Sequence, residues 1–269
     1  MTHNIPAHLL RCPIRSAVIG CGGNGSVIAM GLPYLHQALL AAGHPGGLAV
    51  TLIDGDTVSS TNCVRQPFSR NEVGLHKSIV LASRINLFWG LRWKAIPHHV
   101  APGQGVESAD IVIGCVDTRA ARATIQELVT GNATVTYYLD LGNGATGGQF
   151  ILGQPLNRRN PRRATRLRTA PELFPELADT TLPDDDQPSC SAQAALDRQE
   201  PMVNQLLATH ALALLARLFR HGAIEHQGAF VDSVTNRAQP FLGDTSTWRR
   251  LRRPHRPGHH MSPTVPHSN

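Results

Sequence analysis

Short apolar runs alternate with amphipathic segments over the first half of the chain. Residues 48–53 form a nearly continuous apolar stretch, as a strand buried in a parallel sheet requires, and residues 15–19 and 109–116 are predicted to be strands as well. Between the first two of these strands along the chain, apolar residues recur at helical spacing from Ser26 to Leu40. Strands that alternate with helices in this way predict an α/β fold built on a parallel sheet.

The remaining pattern extends this sheet. Residues 93–100 and 134–141 are predicted to be two more strands, and residues 118–129 a helix. Apolar residues at 146–152 and within 228–243 indicate added strands that close the sheet. The prediction is a Rossmann-like, doubly wound α/β fold whose mostly parallel sheet carries added antiparallel strands.

Three parts are expected along the chain. Residues 1–13 are few and contain two prolines, so they are interpreted as a lead-in segment. Residues 14–243 carry the alternating pattern and are expected to form one folded domain. Residues 244–269 are expected to be a disordered basic tail, because the chain after Trp248 has no acids, no apolar periodicity and several prolines.

The formal net charge of +6 is concentrated in two stretches without acids. Removing their eleven arginines from +6 leaves −5 for the rest of the chain. These residues are Arg158, Arg159, Arg162, Arg163, Arg166 and Arg168 in a loop, and Arg249, Arg250, Arg252, Arg253 and Arg256 in the tail. Basic loops are commonly no more than solvated charge, and the alternative is contact with nucleic acid. Composition leaves both interpretations open.

Localisation and redox state follow from what the chain lacks. No apolar stretch reaches the roughly 18 residues that a membrane-spanning helix requires, and no basic segment leads into an apolar signal core. The five cysteines are odd in number and never spaced as C-x-x-C, which argues against a disulfide framework and a four-thiolate zinc site. We therefore expect a cytoplasmic protein with reduced thiols.

Glycines that directly follow the first strand give the first indication of chemistry. The run GCGGNG places Gly20, Gly22, Gly23 and Gly25 between that strand and the next helix. Because glycine has no Cβ, such a loop lets backbone N–H groups approach the phosphates of a nucleotide. Oxidoreductases, methyltransferases and adenylating enzymes share this spacing, so it indicates a nucleotide without indicating the reaction.

Two acids follow strands whose carboxyl ends meet at one edge of the predicted sheet. Asp54 comes directly after the second strand, where it can accept hydrogen bonds from ribose hydroxyls. A turn aspartate is the alternative. Asp117 follows the fourth strand, where it can bind magnesium, and its alternative is the N-cap of the next helix.

Two cations lie between the second and third strands. Arg65 is in a polar segment and Lys77 opens a helix. Nucleotidyl transfer uses such charges, because they stabilise a pentavalent phosphate better in the transition state than in the ground state. A dehydrogenase has no general need for them. Surface charge is the alternative for either residue taken singly.

Four ordered motifs carry a resemblance to a known family. GCGGNG, LIDGDTVSSTNCVRQ, GLHK and GCVDTRAAR resemble GxGGxG, DxDxVxxSNLxRQ, GxxK and TDNxxxR of the ThiF/MoeB branch of the ubiquitin-activating-enzyme superfamily. The resemblance covers about residues 14–150. More narrowly, the chain is similar to the ThiF-related proteins of the PRTRC cassettes of bacterial mobile elements, which it also resembles at PSCSAQAALDRQEPMVNQ.

The resemblance implies an ATP-dependent adenylyltransferase. Such an enzyme activates the C-terminal glycine of a ubiquitin-like β-grasp protein, uses Mg²⁺ and is usually a homodimer. The four glycines would then hold phosphates, Asp54 the ribose, and Asp117 the magnesium. Asn62, Arg65 and Lys77 would hold the triphosphate. The paired C-x-x-C motifs of many relatives are missing, so no metal beyond magnesium is expected.

The resemblance also implies a crossover loop at about 155–189, which would pass over the tail of the substrate as a movable lid. Cys190 follows it, at the start of an apolar-periodic helix expected to reach Leu218. In this branch a cysteine at that place sometimes takes the acyl group from the adenylate, and a helix N-terminus favours the thiolate. An inert cysteine is the alternative.

Two other functions compete with adenylation. One is a non-catalytic nucleotide-binding scaffold of a PRTRC complex that touches DNA or a partner through the arginine-rich loop and tail. The other is a nicotinamide-dependent oxidoreductase, which the glycine loop permits. That second alternative leaves Arg65, Lys77 and Asp117 without an explanation.

Overall fold

The computed structural model describes residues 2–101, 106, 108–184 and 200–242. Its strands are β1 His3–Asn4, β2 Ile14–Ile19, β3 Leu48–Ile53, β4 Lys94–Ile96, β5 Ile111–Gly114, β6 Tyr137–Asn143, β7 Gly147–Gly153, β8 Ala223–Ile224, β9 His226–Asp232 and β10 Arg237–Leu242. Its helices are α1 Gly23–Ala41, α2 Asn62–Arg65, α3 Lys77–Trp89, α4 Arg119–Gly131, α5 Ala170–Leu173 and α6 Val203–His221. Short 3-10 turns cover Ala7–Leu10, Arg70–Glu72 and Pro175–Ala178.

Within the described residues, eight strands form one sheet in the order β10-β9-β7-β6-β5-β2-β3-β4. The five strands from β6 to β4 are parallel to one another. The other three, β7, β9 and β10, join the β6 edge in antiparallel pairings. Strands β1 and β8 form a separate antiparallel pair. The Rossmann-like prediction with added antiparallel strands is confirmed.

Helices cover both faces of the sheet, as a doubly wound fold requires. Strand β2 shows the division, because Ile14 and Val18 belong to a core shared with α1, α3 and α6, whereas Ala17 and Ile19 belong to a second core shared with α4. All four side chains are almost fully buried. Burial on both faces explains the apolar residues from Ala17 to Ile19, and Arg15 at the amino end is the one exposed residue of β2.

Strand β4 is shorter than the predicted strand 93–100. Trp93 is buried, but its backbone N–H donates to Asn86 Oδ1 and its carbonyl accepts from Asn86 Nδ2, at 2.8 and 2.9 Å. A side-chain amide therefore replaces the sheet hydrogen bonds there. At the other end, Pro97 follows the strand and has no N–H to donate.

The ends of two predictions fall outside the described residues. Cys190 and the first part of its predicted helix lie there, and α6 from Val203 onward is the described part of that apolar pattern. The predicted tail 244–269 also lies there. None of the helices in the described ranges has the length and apolar content that crossing a bilayer requires.

Candidate active site

A cleft of about 920 Å³ opens at the carboxyl ends of β2, β3, β5 and β6. Strand β2 lies between β3 and β5, so the order of the strands reverses at this point of the sheet. The connections that follow the neighbouring strands run in opposite directions, and a crevice forms between these connections. Eight of the ten residues predicted for the site line this cleft, Gly25 does not, and Cys190 lies outside the described residues. The eight are Gly20, Gly22, Gly23, Asp54, Asn62, Arg65, Lys77 and Asp117.

The glycine loop is shaped by two close backbone contacts. Gly20 has a φ of +87°, and a Cβ there would lie 2.6 Å from the carbonyl oxygen of Cys115. A Cβ at Gly25 would overlap the carbonyl oxygen of Gly20. Gly25 therefore lies beneath the loop, where it lets α1 pack against the strand ends. Its phosphate contact stays a prediction.

Helix α1 presents its N-terminus to the cleft. It begins at Gly23, and Gly22, Gly23 and Asn24 all line the opening. The first N–H groups of a helix have no partner within the helix, and the dipole makes this end positive. An anion in the cleft would thus meet unpaired donors at the end of a 19-residue helix.

Asp54 connects the glycine loop to the end of β3. Its Oδ2 accepts from the backbone N–H of Cys21 at 2.5 Å, and its Oδ1 accepts from that of Asp56 at 2.8 Å. Burial raises the pKa of Asp54, and the two N–H donors oppose that rise. Each carboxylate oxygen keeps a further lone pair that a ribose hydroxyl can use.

Lys77 is buried at the start of α3 and forms an ion pair inside the cleft. Its Nζ lies 3.0 Å from Asp56 Oδ2, and His99 Nε2 lies 3.5 Å from Asp56 Oδ1. Within the described residues, Asp54, Asp56 and His99 form the one group whose ligand atoms lie close enough to share a metal ion. The ammonium group of Lys77 already supplies positive charge beside these three residues. Asp117 does not belong to this cluster.

Helix α2 places three polar side chains of one motif in the cleft. Arg65 is half-buried, and Asn62 Oδ1 accepts from the backbone N–H of Ser59 at 2.9 Å, which fixes the turn before the helix. Gln66 also lines the cleft, and among the described residues its buried Oε1 has no hydrogen-bond partner. Gln66 is not among the residues predicted for the site, although it directly follows Arg65 in the motif.

Asp117 is exposed at the carboxyl end of β5 and does not cap the following helix. The N-cap of α4 is Thr118, whose Oγ1 accepts from the backbone N–H of Ala121 at 3.2 Å. The helix therefore has its capping oxygen without the acid. The carboxylate of Asp117 lines the cleft instead.

A buried ion pair beneath Asp117 was not identified from the sequence. Arg122 Nε donates to Asp140 Oδ2 at 2.9 Å, and Tyr138 Oη donates to the same oxygen at 2.6 Å. Arg122 Nη2 donates to the carbonyl oxygen of Val116 at 3.0 Å. The guanidinium thus ties α4 to β6 and to the loop that carries Asp117. Arg122 is the final arginine of the motif GCVDTRAAR, and that motif is the sequence feature from which its importance could have been predicted.

The described part of the predicted crossover loop is attached to α4 at the mouth of the cleft. Arg119 donates its backbone N–H to Asp184 Oδ1 at 2.7 Å and its Nε to the carbonyl oxygen of Pro183 at 3.0 Å. Arg122 Nη1 donates to the carbonyl oxygen of Leu177 at 3.3 Å. Leu177 and Asp184 line the cleft, so this segment forms part of its wall.

A model of the ThiF family matches residues 9–246. The chain belongs to the ThiF family. The match extends from the segment before β2 to beyond β10 and so includes every strand of the large sheet. Comparison with curated proteins finds no match.

Solved structures share this ThiF fold at low sequence identity. MccB of E. coli, solved with ATP, has a TM-score of 0.55 and 16% identity over 86% of this chain and 64% of MccB. MccB solved with MccA has the same score and identity over 85% and 63%. PaaA has a TM-score of 0.55 and 14% identity over 85% and 64%. The ThiF chain therefore spans less than two thirds of the length of these proteins.

The capping geometry predicts unequal effects on stability for two neighbouring substitutions in this ThiF-family chain. Thr118→Ala should lower the free energy of unfolding by about 1 kcal/mol, because α4 loses its N-cap. Asp117→Ala should change it by less than about 0.5 kcal/mol, because the acid caps nothing. Urea unfolding followed by circular dichroism measures both. Equal destabilisation by the two variants would mean that Asp117 shares the capping role.

The buried pair predicts a larger loss for Arg122→Met. Removing the guanidinium leaves Asp140 buried without its cation, which should lower the free energy of unfolding by roughly 3 to 5 kcal/mol. Arg92→Met is the matched control, because Arg92 is exposed. Urea unfolding of the two variants and the unmodified chain gives the comparison. A loss for Arg122→Met no greater than that of the control contradicts this account of the pair.

Proposed function

We propose that this ThiF-family chain uses ATP to adenylate the C-terminal carboxylate of a partner polypeptide. The observation that carries the proposal is the convergence of the four motifs on one cleft. There the N-terminus of α1, two cations and an exposed acid from separate elements surround the same space. An adenylation site needs this combination, because it must position a triphosphate and stabilise charge at its α-phosphate.

We assign a role to each group on the basis of this arrangement. The glycine loop and the N-terminus of α1 hold phosphates, and Asp54 accepts hydrogen bonds from the ribose. Arg65 and Lys77 stabilise the negative charge of the triphosphate, with Asn62 and Gln66 as polar neighbours. Asp56 holds the ammonium group of Lys77 in position at 3.0 Å.

The reaction balances without a general base. An oxygen of the ionised partner carboxylate bonds to the α-phosphorus, and the bond from that phosphorus to the bridging oxygen of the β-phosphate breaks. Pyrophosphate leaves with the bonding electrons, and the acyl adenylate remains. A carboxylate is already deprotonated near neutral pH, so the site has to position it rather than remove a proton.

Asp117 fits a role in holding Mg²⁺. Its carboxylate is exposed to the cleft and is not used as a helix cap. Mg²⁺ in phosphate-transfer sites is commonly held by one or two carboxylates together with substrate phosphates. When bound, the ion would neutralise negative charge on the phosphates.

The partner we propose is a ubiquitin-like β-grasp protein that ends in glycine, on the resemblance to the ThiF/MoeB branch. If the chain is of the PRTRC type, the partner is the β-grasp protein of the same cassette. Support for a peptide substrate comes from MccB, which was solved with MccA. Amide side chains line the cleft beside the glycine loop and suit the backbone of an extended tail: Asn24, Asn143, Gln149 and Asn204.

Two finer parts of the proposal concern Cys190 and assembly. The Cys190 thiolate would attack the acyl carbonyl, form a thioester and release AMP with the bonding electrons. Assembly as a homodimer is supported by an exposed apolar surface on α1, α3 and the loop before α3. Its exposed side chains include Tyr34, Leu75, Ile79, Leu87 and Phe88.

ATP–pyrophosphate exchange with the candidate β-grasp protein tests the proposed reaction. Arg65→Ala, Lys77→Ala and Asp117→Ala should each lower the exchange rate about 100-fold, because the first two remove cations that stabilise transition-state charge and the third removes the carboxylate that would hold Mg²⁺. Arg70→Ala is the matched control, since Arg70 is exposed and does not line the cleft.

The control variant Arg70→Ala should exchange pyrophosphate at the rate of the unmodified chain. Full exchange by the three cleft variants would contradict the site. ATP binding without exchange for any partner carboxylate would favour a non-catalytic nucleotide-binding scaffold.

A further inference from the structure

The arginine-rich segment lies at the end of the sheet opposite the nucleotide cleft. Strand β7 runs antiparallel to β6, so Gly153 pairs with Tyr138 near the start of β6. Residues 154–168 therefore leave the sheet at the amino ends of the parallel strands. We call residues 157–168 the arginine loop.

Two asparagine side chains hold the arginine loop in one conformation. Asn157 Oδ1 accepts from the backbone N–H groups of Arg159 and Asn160, both at 3.0 Å. Asn160 Nδ2 donates to the carbonyl oxygens of Val135 and Thr136, both at 3.1 Å, and Asn160 is buried. The loop thus supplies donors that the start of β6 requires, which fixes its backbone to the sheet.

The six arginines of the loop divide into two sets. Arg166 is buried and donates to both carboxylate oxygens of Glu172, while Arg168 is half-buried. The other four are exposed, and no ion pair joins any of them to an acid within the described residues: Arg158, Arg159, Arg162 and Arg163. The chain has no acid between residues 141 and 171. The loop therefore displays four positive charges within six residues.

A polar pocket of about 360 Å³ is lined in part by residues of the arginine loop. No acid lines it, and its donors include Arg159, Arg163 and Thr165. His3 at its edge is neutral near pH 7, because burial lowers the pKa of its imidazole to about 4, and its Nε2 lies 2.7 Å from Tyr137 Oη. The pocket offers guanidinium and hydroxyl donors to an anion.

We propose that the arginine loop binds the phosphodiester backbone of duplex DNA without reading its sequence. Exposed guanidinium groups on a fixed backbone suit a regular row of phosphates. A protein partner fits less well, because binding hot spots need aromatic or apolar anchors and no large apolar side chain of the loop is exposed. Single strands also fit less well, because they need aromatic side chains for base stacking.

Titration of a fluorescent 30-base-pair duplex with the full chain at several salt concentrations tests this inference. The fourfold variant Arg158→Ala, Arg159→Ala, Arg162→Ala and Arg163→Ala should weaken binding at least about tenfold at 100 mM salt. The slope of log affinity against log salt should fall in magnitude by about 2 to 4, because that many phosphate contacts are lost. ATP binding should stay unchanged, because the cleft lies at the other end of the sheet.

The matched control removes the same charge elsewhere, through Arg70→Ala, Arg92→Ala, Lys94→Ala and Arg237→Ala, all at exposed positions. It should weaken binding by less than about threefold. Equal weakening of DNA binding by both variants would mean that only the net charge of the chain matters. Undiminished DNA binding by the loop variant would mean that another segment, such as the basic tail, binds the duplex. Tighter binding of poly-glutamate than of the duplex would indicate an acidic protein partner. Each of these three results overturns the proposal.

Discussion

The candidate site depends on the close packing of α1 against the ends of β2 and β5. Gly25 can approach the carbonyl oxygen of Gly20, and Gly20 that of Cys115, only because neither glycine has a Cβ. Asp54 then accepts from the N–H of Cys21 and fastens the loop to β3. These contacts direct the positive end of a long helix into the crevice where the strand order reverses, so the backbone alone offers N–H donors to an anion there.

Charged side chains complete that site in two ways. Lys77 and Arg122 are buried, and each has a carboxylate partner, Asp56 and Asp140, which offsets the cost of removing a cation from water. Asp117, by contrast, is exposed and lines the cleft, and the side chain of Thr118 rather than that of Asp117 caps α4. The buried pairs therefore join the elements that surround the cleft, and the exposed acid remains accessible from it.

The sequence predicted the fold, and it predicted which residues lie together best where their positions follow from the order of the strands. Asp54 and Asp117 directly follow apolar strands, so a parallel sheet was bound to bring them to one edge. Contacts between distant segments were beyond local patterns. The pairing of Arg122 with Asp140, the packing of Gly25 under Gly20 and the amide bonds of Asn160 to Val135 and Thr136 all depend on the folded chain. The pattern of charges likewise left the function of the arginine loop open, because it does not reveal which of the arginines are buried.

Calorimetric titration of the full chain with ATP, AMP and NAD, each in the presence of Mg²⁺, tests the central claim that the cleft is a triphosphate site. The account predicts that ATP binds at least about tenfold more tightly than AMP or NAD, because only ATP places a triphosphate beside Arg65 and Lys77, and one charged hydrogen bond is worth that factor. NAD binding as tight as ATP binding, or equal affinities for ATP and AMP, would contradict it.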